Sequence, residues 1–257
     1  MTSQYELKGK VAIVTGSGRG IGKGIAVELA KAGADVVVCS RTQADIEATA
    51  DEIRSLGRKT LAVVVDVRQK DQIDGLMEIT RQEFGHLDIL VNNAGGSFRV
   101  PAIDMSERAW DAIIGENLKP VFLCSQAAAK IMLQQKKGNI INISSISGLG
   151  PSPLLCAYGA AKAGINNLTQ TLAVEWAPYG IRVNAVAPGP IETQGFRDTT
   201  PPETLAEITS RIPLSRLGQP EDVARVVIFL ASEASGWITG FTIDLCGGPA
   251  SLLMLKE

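Results

Sequence analysis

Short apolar runs rich in β-branched residues alternate with longer segments of helical periodicity, and this alternation constrains the fold more than any other feature. The apolar runs lie at residues 10–15, 35–40, 60–66, 87–93, 138–144, 181–187 and 240–245. Helical spacing is clearest at residues 21–31, 44–56, 73–84 and 222–231. Nearly continuous apolar strands separated by helices are typical of a parallel sheet covered on both faces.

We therefore predict an α/β fold in which residues 1–257 form one domain built on a seven-stranded, doubly wound parallel sheet. An eight-stranded barrel is the alternative, but seven runs fit an open sheet better. One segment interrupts the alternation: residues 188–213 are long, rich in Pro and Thr, and directly follow a strand-like run. We expect an irregular insertion here that acts as a substrate lid, with a solvated connection as the alternative.

Composition excludes several classes of function. The chain is 45% hydrophobic and 20% charged with a formal net charge of −2, which is typical of a soluble domain with a sizeable core. A slight acidic excess provides no basic surface for nucleic acid or an anionic membrane. No apolar run approaches the roughly 20 residues of a membrane-spanning helix, and the N-terminal residues lack the apolar core of a signal peptide. We expect a cytoplasmic protein without nucleic-acid or membrane partners.

Cysteine and histidine usage predicts no metal site. Cys39, Cys124, Cys156 and Cys246 are scattered without metal-ligand spacing, and we expect all four to be reduced thiols. The single histidine, His86, is expected in a surface loop. With only this histidine, we expect neither a histidine-based triad nor most kinds of zinc site.

The first apolar run leads directly into TGSGRGIG, residues 15–22, and then into a helical segment. Glycine permits positive φ and close approach of the backbone to a ligand, and the N–H groups of the following helix attract an anion. These are the mechanics of a Rossmann-type dinucleotide site, although the spacing is T-G-x-x-x-G-x-G rather than G-x-G-x-x-G. The loop residues expected to contact the cofactor are Gly16, Ser17, Arg19, Gly20, Ile21 and Gly22.

The end of the second run predicts which dinucleotide binds. A carboxylate there would hold the ribose 2′-OH of NAD, but this chain has Ser40, Arg41 and Thr42. A guanidinium matches a phosphate dianion, and Arg19 in the glycine loop adds a second one. We therefore predict that NADP(H) is preferred and NAD(H) is possible. The alternative is that Arg41 is only a solvent-exposed residue at the end of a strand.

Ligands of such sheets bind beyond the carboxyl ends of the strands, and small or polar residues gather there. These strand ends supply Asp66 and Val67, then Asn93, Ala94 and Gly95, then Ser145, and finally Pro188, Gly189, Ile191 and Thr193. The sequence YGAAK places Tyr158 and Lys162 four residues apart, on the same face of a helix.

With Asn117, these motifs resemble the short-chain dehydrogenase/reductase family along nearly the whole chain. Within the family the chain is similar to 3-oxoacyl-thioester (acyl-carrier-protein) reductases and to hydroxysteroid or sugar dehydrogenases. The resemblance implies an NAD(P)-dependent oxidoreductase that acts on the CH–OH group of a small molecule. It also implies a homotetramer.

The resemblance assigns catalytic roles. Tyr158 is implied to be the general acid in ketone reduction, Ser145 to bind the substrate oxygen, and Asn117 to hold a water that relays protons to Lys162. The pKa of a free phenol is near 10, and a shift of about three units to neutral pH requires roughly 4 kcal/mol. We expect Lys162, together with a cationic nicotinamide, to lower the pKa of Tyr158.

Cofactor contacts follow from the same resemblance. Asp66 and Val67 are implied to face the adenine, Asn93 the adenosine side, and Ile191 and Thr193 the nicotinamide carboxamide. Lys162 is implied to bind the nicotinamide ribose. The remaining expected cofactor contacts are Arg41, Ala94, Gly95, Tyr158, Pro188 and Gly189.

Substrate identity resides in residues 96–101, 150–156 and 190–213, which carry no transferable code. Arg99 fits either an anionic substrate or an ordinary loop position. Our leading prediction is a 3-oxoacyl-thioester-reductase-like carbonyl reductase, with an NAD(H)-dependent steroid, sugar or other alcohol dehydrogenase as the alternative. A cofactor-sensing binding protein without catalysis is the alternative of another class, and the presence of Ser145, Tyr158 and Lys162 argues against it.

Overall fold

The computed structural model describes residues 4–250, so both ends of the predicted 1–257 domain lie outside the described residues. The strands are β1 (Val11–Thr15), β2 (Asp35–Ser40), β3 (Thr60–Val64), β4 (Ile89–Asn92), β5 (Gly138–Ile143), β6 (Ile181–Pro188) and β7 (Thr242–Leu245). Each coincides with one of the apolar runs. They form one seven-stranded sheet in the order β3-β2-β1-β4-β5-β6-β7, and every neighbouring pair is parallel. The predicted doubly wound sheet is confirmed.

Eight α-helices occur between residues 4 and 250: α1 (Gly20–Lys31), α2 (Gln43–Ser55), α3 (Lys70–Phe84), α4 (Glu107–Gln135), α5 (Cys156–Trp176), α6 (Gln194–Thr199), α7 (Pro202–Arg211) and α8 (Pro220–Ala231). Helices α1, α2 and α8 pack on one face of the sheet, and α3, α4 and α5 pack on the other. Successive β1 residues serve both cores, since Ile13 points to the second face and Val14 to the first. None of the helices in the described part of the chain is long and apolar enough to cross a membrane.

The strand order places a topological switch between β1 and β4. The chain adds β2 and β3 on one side of β1, then crosses to build β4 to β7 on the other side. Because the connections leave in opposite directions at this point, a crevice opens beyond the carboxyl ends of β1 and β4. The functional site is therefore expected there.

Residues 188–213 are more regular than the sequence predicts. They contain α6 and α7. The Thr193 side chain accepts a hydrogen bond from the Phe196 N–H and so caps α6, while α7 begins at Pro202. Proline fits the first turn of a helix because its missing N–H has no intrahelical acceptor there. The role of this segment as a substrate lid stays a prediction.

A buried chain of polar side chains joins the sheet to α4 and α5 just below the crevice. Asn92 Nδ2 donates to Ser125 Oγ and to Asn142 Oδ1, each at 2.9 Å. Asn142 Nδ2 in turn donates to Thr169 Oγ1 at 2.9 Å. All four residues are buried, so these hydrogen bonds hold the ends of β4 and β5 in register with both helices.

Candidate active site

The glycine loop after β1 is fastened to the end of β4. Thr15 Oγ1 accepts hydrogen bonds from the N–H groups of Asn93 and Ala94 at 2.9 and 3.1 Å. Asn93 Nδ2 donates back to the carbonyl oxygens of Thr15 and Gly16. Gly16 and Gly20 have φ of +66° and +56°, a backbone conformation that disfavours residues with a Cβ. The loop thus has a fixed shape at the start of α1.

A cleft of about 720 Å³ opens beside this loop, at the carboxyl ends of the strands. Most of the predicted site residues line it: Gly16, Arg19, Gly20, Ile21, Gly22, Arg41, Asp66, Val67, Asn93, Ala94, Gly95, Asn117, Ser145, Tyr158, Lys162, Pro188, Gly189 and Thr193. Residues far apart in the chain are thereby brought to one elongated cleft. Only Ser17 and Ile191 of the predicted residues do not line it.

Ser17 lies beneath the loop rather than in the cleft. It is fully buried, its Oγ accepts the Cys39 N–H at 2.8 Å, and its own N–H donates to the Cys39 carbonyl. A cofactor contact from Ser17 stays a prediction, and its Oγ and N–H both hold the loop against β2. Ile191 is also buried, and its side chain packs against Gly218. A contact from the Ile191 backbone to the carboxamide stays a prediction.

Ser145 and Tyr158 meet at the mouth of the cleft from different elements. Ser145 follows β5 after one intervening residue, and its Oγ accepts the Ser147 N–H at 3.1 Å. Tyr158 lies in the first turn of α5 and is half-buried. The side chains of Ser145 and Tyr158 lie close together. A hydroxyl pair of this kind can bind one substrate oxygen from two sides.

Lys162 lies one turn further along α5 and is buried. Its Nζ donates to the Ile143 carbonyl at 2.9 Å and lies 5.4 Å from the centre of the Tyr158 ring. Burial lowers the pKa of Lys162 from 10.5 to about 8, because a low-dielectric environment disfavours the ammonium. The lysine is therefore protonated at neutral pH but titrates close to it.

The expectation that Lys162 lowers the pKa of Tyr158 is wrong where only the protein's own groups act on the phenol. Burial raises the pKa of Tyr158 above its usual value of 10.0, and the nearby Ser145 side chain opposes this rise. Desolvation is the larger effect, because it disfavours the charged phenolate. The ammonium of Lys162 is turned toward a carbonyl oxygen.

Asn117 of α4 is buried next to Lys162. Its Nδ2 donates to the carbonyl oxygens of Gly96 and Ile113 at 2.8 and 2.9 Å, whereas its Oδ1 is buried without a hydrogen-bond partner among the described residues. A Cβ added to Gly95 would lie 2.6 Å from Asn117 Oδ1 and 3.9 Å from Lys162 Nζ. The two polar atoms therefore flank Gly95, which agrees with the expected water relay; the relay itself stays a prediction.

At the end of the cleft formed by β2 and β3, the structure adds charged residues that sequence reasoning missed. Arg68 pairs with Asp66 at 2.6 Å, and Arg41 pairs with Glu116 of α4 at 3.5 Å. The hydrogen bond from Arg68 holds the pKa of Asp66 below its usual value, and the charge of Arg41 contributes to this. Glu116 adjoins Asn117 in the chain, yet nothing in the local sequence indicates that its side chain reaches Arg41.

A second chamber of about 370 Å³ adjoins the cleft and shares Ser145, Pro188 and Gly189 with it. Its other walls include Arg99, Arg211 and the apolar side chains of Ile146, Phe196 and Ile208. Arg211 is paired with Glu207 at 2.7 Å. Arg99 has no ion-pair partner among residues 4–250. The chamber has room for a small molecule that reaches Ser145.

The remaining reactive groups form no competing site. No three His, Cys, Asp or Glu residues between positions 4 and 250 are arranged to bind a metal ion. All four cysteines are free thiols, and burial raises the pKa of Cys39 to about 12. The chemistry of the described residues is therefore concentrated at Ser145, Tyr158 and Lys162.

The cleft fits an extended dinucleotide. A Cβ on Gly22 would collide with the Gly16 carbonyl and with Asn93, so only glycine lets the start of α1 pack this closely against the loop. The N-terminus of α1 follows, as a pyrophosphate requires. Ser145, Tyr158 and Lys162 stand at the opposite end of the same cleft. Fold and site together define a nicotinamide-dependent dehydrogenase or reductase.

Comparison with known proteins gives the family. The family model for short chain dehydrogenases matches residues 10–204, so the chain belongs to the short-chain dehydrogenase family. It is 42% identical over 248 residues to 2-dehydro-3-deoxy-D-gluconate 5-dehydrogenase of Escherichia coli (strain K12), covering 96% of this chain and 97% of that protein. It is 40% identical over 242 residues to the 3-oxoacyl-[acyl-carrier-protein] reductase FabG of Thermotoga maritima, covering 94% and 98%.

A solved structure agrees with these relatives. The 7α-hydroxysteroid dehydrogenase complexed with NADH and 7-oxo glycochenodeoxycholic acid matches with a TM-score of 0.93 and 34% identity, over 96% of this chain and 97% of that one. The protein is accordingly an NAD(P)-dependent oxidoreductase that acts on the CH–OH group of its substrate or on the corresponding carbonyl.

Proposed function

We propose that this protein is an NADP(H)-dependent carbonyl reductase of the cytoplasm, similar in reaction to the 3-oxoacyl-thioester reductases. The observation that carries the proposal is the position of Ser145. Its side chain lies on the wall shared by the cofactor cleft and the substrate chamber, and Tyr158 lies close to it. A carbonyl bound there would lie between the reducing end of a cofactor and a proton donor.

The proton chemistry suits reduction. A bound nicotinamide cofactor would supply the hydride, while the protein must supply a proton to the carbonyl oxygen. The phenol of Tyr158 is protonated at neutral pH, but its raised pKa makes it a weaker acid, so proton donation requires a group that stabilises the phenolate. The ammonium of Lys162 would stabilise the phenolate as the proton leaves. Asn117 Oδ1 can accept a hydrogen bond from a water that returns a proton to this site.

The proposed preference for NADP(H) is supported by the end of β2. Arg41 lines the cleft there, and Arg19 lines it from the glycine loop. The β2 strand ends at Ser40 without a carboxylate of its own. Guanidinium groups match a 2′-phosphate in charge and geometry. NAD(H) is the alternative cofactor, and the related 7α-hydroxysteroid dehydrogenase was solved in complex with NADH.

The relatives suggest two kinds of substrate. Relatives of nearly equal identity are named for a 3-oxoacyl carrier-protein thioester and for a sugar acid. No carboxylate of residues 4–250 pairs with the guanidinium of Arg99, which lines the chamber. This free guanidinium favours a substrate with an anionic group, and both the carrier-protein thioester and the sugar acid have one. A sugar-acid or steroid dehydrogenase is therefore the second candidate.

A substrate panel tests the proposal. Absorbance at the nicotinamide band is followed with NADPH or NADH and with acyl thioesters, sugar acids, steroids and their alcohols. We expect turnover of a ketone with NADPH, and loss of nearly all of it in the Tyr158→Phe variant. Cofactor binding without turnover of any compound would instead support a cofactor-sensing protein. Substantial turnover by Tyr158→Phe would refute the role of the phenol.

We also propose that the chain assembles as a homotetramer. Large apolar side chains are exposed on α4 and α5, including Trp110, Phe122 and Val174, and near β7, including Trp237 and Phe241. Exposed apolar surface in two separate regions is typical of two kinds of subunit contact. Sedimentation equilibrium should give four times the mass of one chain; a monomer at micromolar concentration would rule this assembly out.

A further inference from the structure

One ion pair spans the cofactor cleft. Arg41 lies just beyond β2, and Glu116 lies on α4, on the other side of the cleft. Their side chains approach to 3.5 Å between Nη2 and Oε1, and both residues line the cleft. The guanidinium that the sequence assigns to a 2′-phosphate is therefore already paired with a carboxylate of the protein.

We propose that Glu116 is a specificity-determining residue that disfavours NADP(H) and supports NAD(H), so that the protein uses both cofactors. The inference rests on the proposed nicotinamide-dependent function. A 2′-phosphate placed against Arg41 must displace the Glu116 carboxylate or remain close to it. Two anions near one guanidinium repel each other, and this repulsion reduces the advantage that Arg41 gives to NADP(H).

The neighbouring Arg68 does not remove the conflict. Arg68 is engaged by Asp66, with its Nε at 2.9 and 3.0 Å from the two carboxylate oxygens and its Nη2 at 2.6 Å from one of them. Asp45 is close to the glycine loop, since a Cβ added to Gly18 would lie 2.7 Å from the Asp45 Cβ. This end of the cleft therefore contains three carboxylates, those of Asp45, Asp66 and Glu116.

Glu116 also supplies a carboxylate, which the end of β2 lacks. A ribose 2′-OH is a neutral donor, and a carboxylate is its preferred acceptor in dinucleotide sites. In this chain the carboxylate comes from α4 instead of β2, and it lies within reach of the Arg41 side chain. Arg41 thus favours the phosphate of one cofactor, while Glu116 favours the hydroxyl of the other.

Binding measurements test the inference without relying on catalysis. Dissociation constants for NADPH and NADH are obtained by titrating nicotinamide fluorescence, for wild type, Glu116→Gln and Glu116→Ala. We expect both variants to shift the ratio of the two constants toward NADPH by about tenfold, which corresponds to about 1.4 kcal/mol. Arg41→Gln should shift the ratio in the opposite direction.

Glu52→Gln is the matched control. It removes the same charge, but Glu52 lies on α2, is paired with Lys23 and does not line the cleft. The inference would be overturned if the Glu116 variants changed the dissociation constants of NADPH and NADH by the same factor. It would also be overturned if they shifted the ratio of the two constants no more than Glu52→Gln does. Absence of turnover with every ketone would count against the proposed reaction only, because the ratio is measured by binding.

Discussion

The ammonium of Lys162 donates a 2.9 Å hydrogen bond to the main-chain carbonyl oxygen of Ile143, the last residue of β5. Ser145 follows two residues later and lies close to Tyr158, which is one turn before Lys162 on α5. The end of one strand is therefore close to all three of these side chains. Their geometry depends on how β5 packs against α5.

The buried position of Lys162 predicts a particular pH dependence of stability. Its pKa falls from 10.5 in the unfolded chain to about 8 in the folded protein, so between these values the unfolded state binds more protons. Stability attributable to this residue therefore rises with pH above about 8. Relative to Lys162→Met, wild type should gain about 1–2 kcal/mol between pH 8 and pH 9.5, measured by urea unfolding. Lys130→Met, at an exposed site on α4, should show no such trend.

The Gly22→Ala substitution should abolish cofactor binding. The new Cβ would collide with the Gly16 carbonyl and with Asn93 Nδ2, both of which shape the loop. Gly75→Ala on α3 is the control, since nothing lies within 4 Å of its Cβ. That change should raise stability by about 0.5–1 kcal/mol, as alanine does within helices, and leave cofactor affinity unchanged. Retained nicotinamide binding by Gly22→Ala in a fluorescence titration would contradict this account of the loop.

The Asn142→Ala substitution should destabilise the fold by about 1–3 kcal/mol, because it leaves buried polar partners unsatisfied. Asn92 Nδ2 would lose one acceptor and Thr169 Oγ1 would lose its donor. Urea denaturation with Asn167→Ala as the exposed control on α5 measures the effect. A loss no greater than in the control would show that the buried hydrogen bonds add little to stability.

The Arg99→Gln substitution should raise KM for an anionic ketone by about tenfold while kcat changes little, because an arginine–carboxylate contact contributes to binding in both ground and transition states. KM for an uncharged ketone of similar size should not change. Arg108→Gln, which removes an exposed charge outside the chamber, provides the comparison. If both substrates respond alike, Arg99 does not select for charge.

Much of the fold was predictable because its signals are local. Each β-branched run became a strand, and the glycines of residues 15–22 formed the loop before α1. Two features differ from what the sequence suggests, for identifiable reasons. Residues 188–213 contain α6 and α7 although proline suggested an irregular segment, since Pro202 sits where a helix tolerates proline. Ser17 looks like any loop residue in sequence, but packing against β2 buries it.

The sequence by itself determined the order of strands and helices, the glycine loop, and the set Ser145, Tyr158 and Lys162. Hydrophobic periodicity and backbone preferences act over a few residues, so they can be read along the chain. Only the tertiary structure decided that burial raises the pKa of Tyr158 and that Glu116 faces Arg41. Desolvation and charge pairing depend on distances between residues remote in sequence, and the fold alone sets those distances.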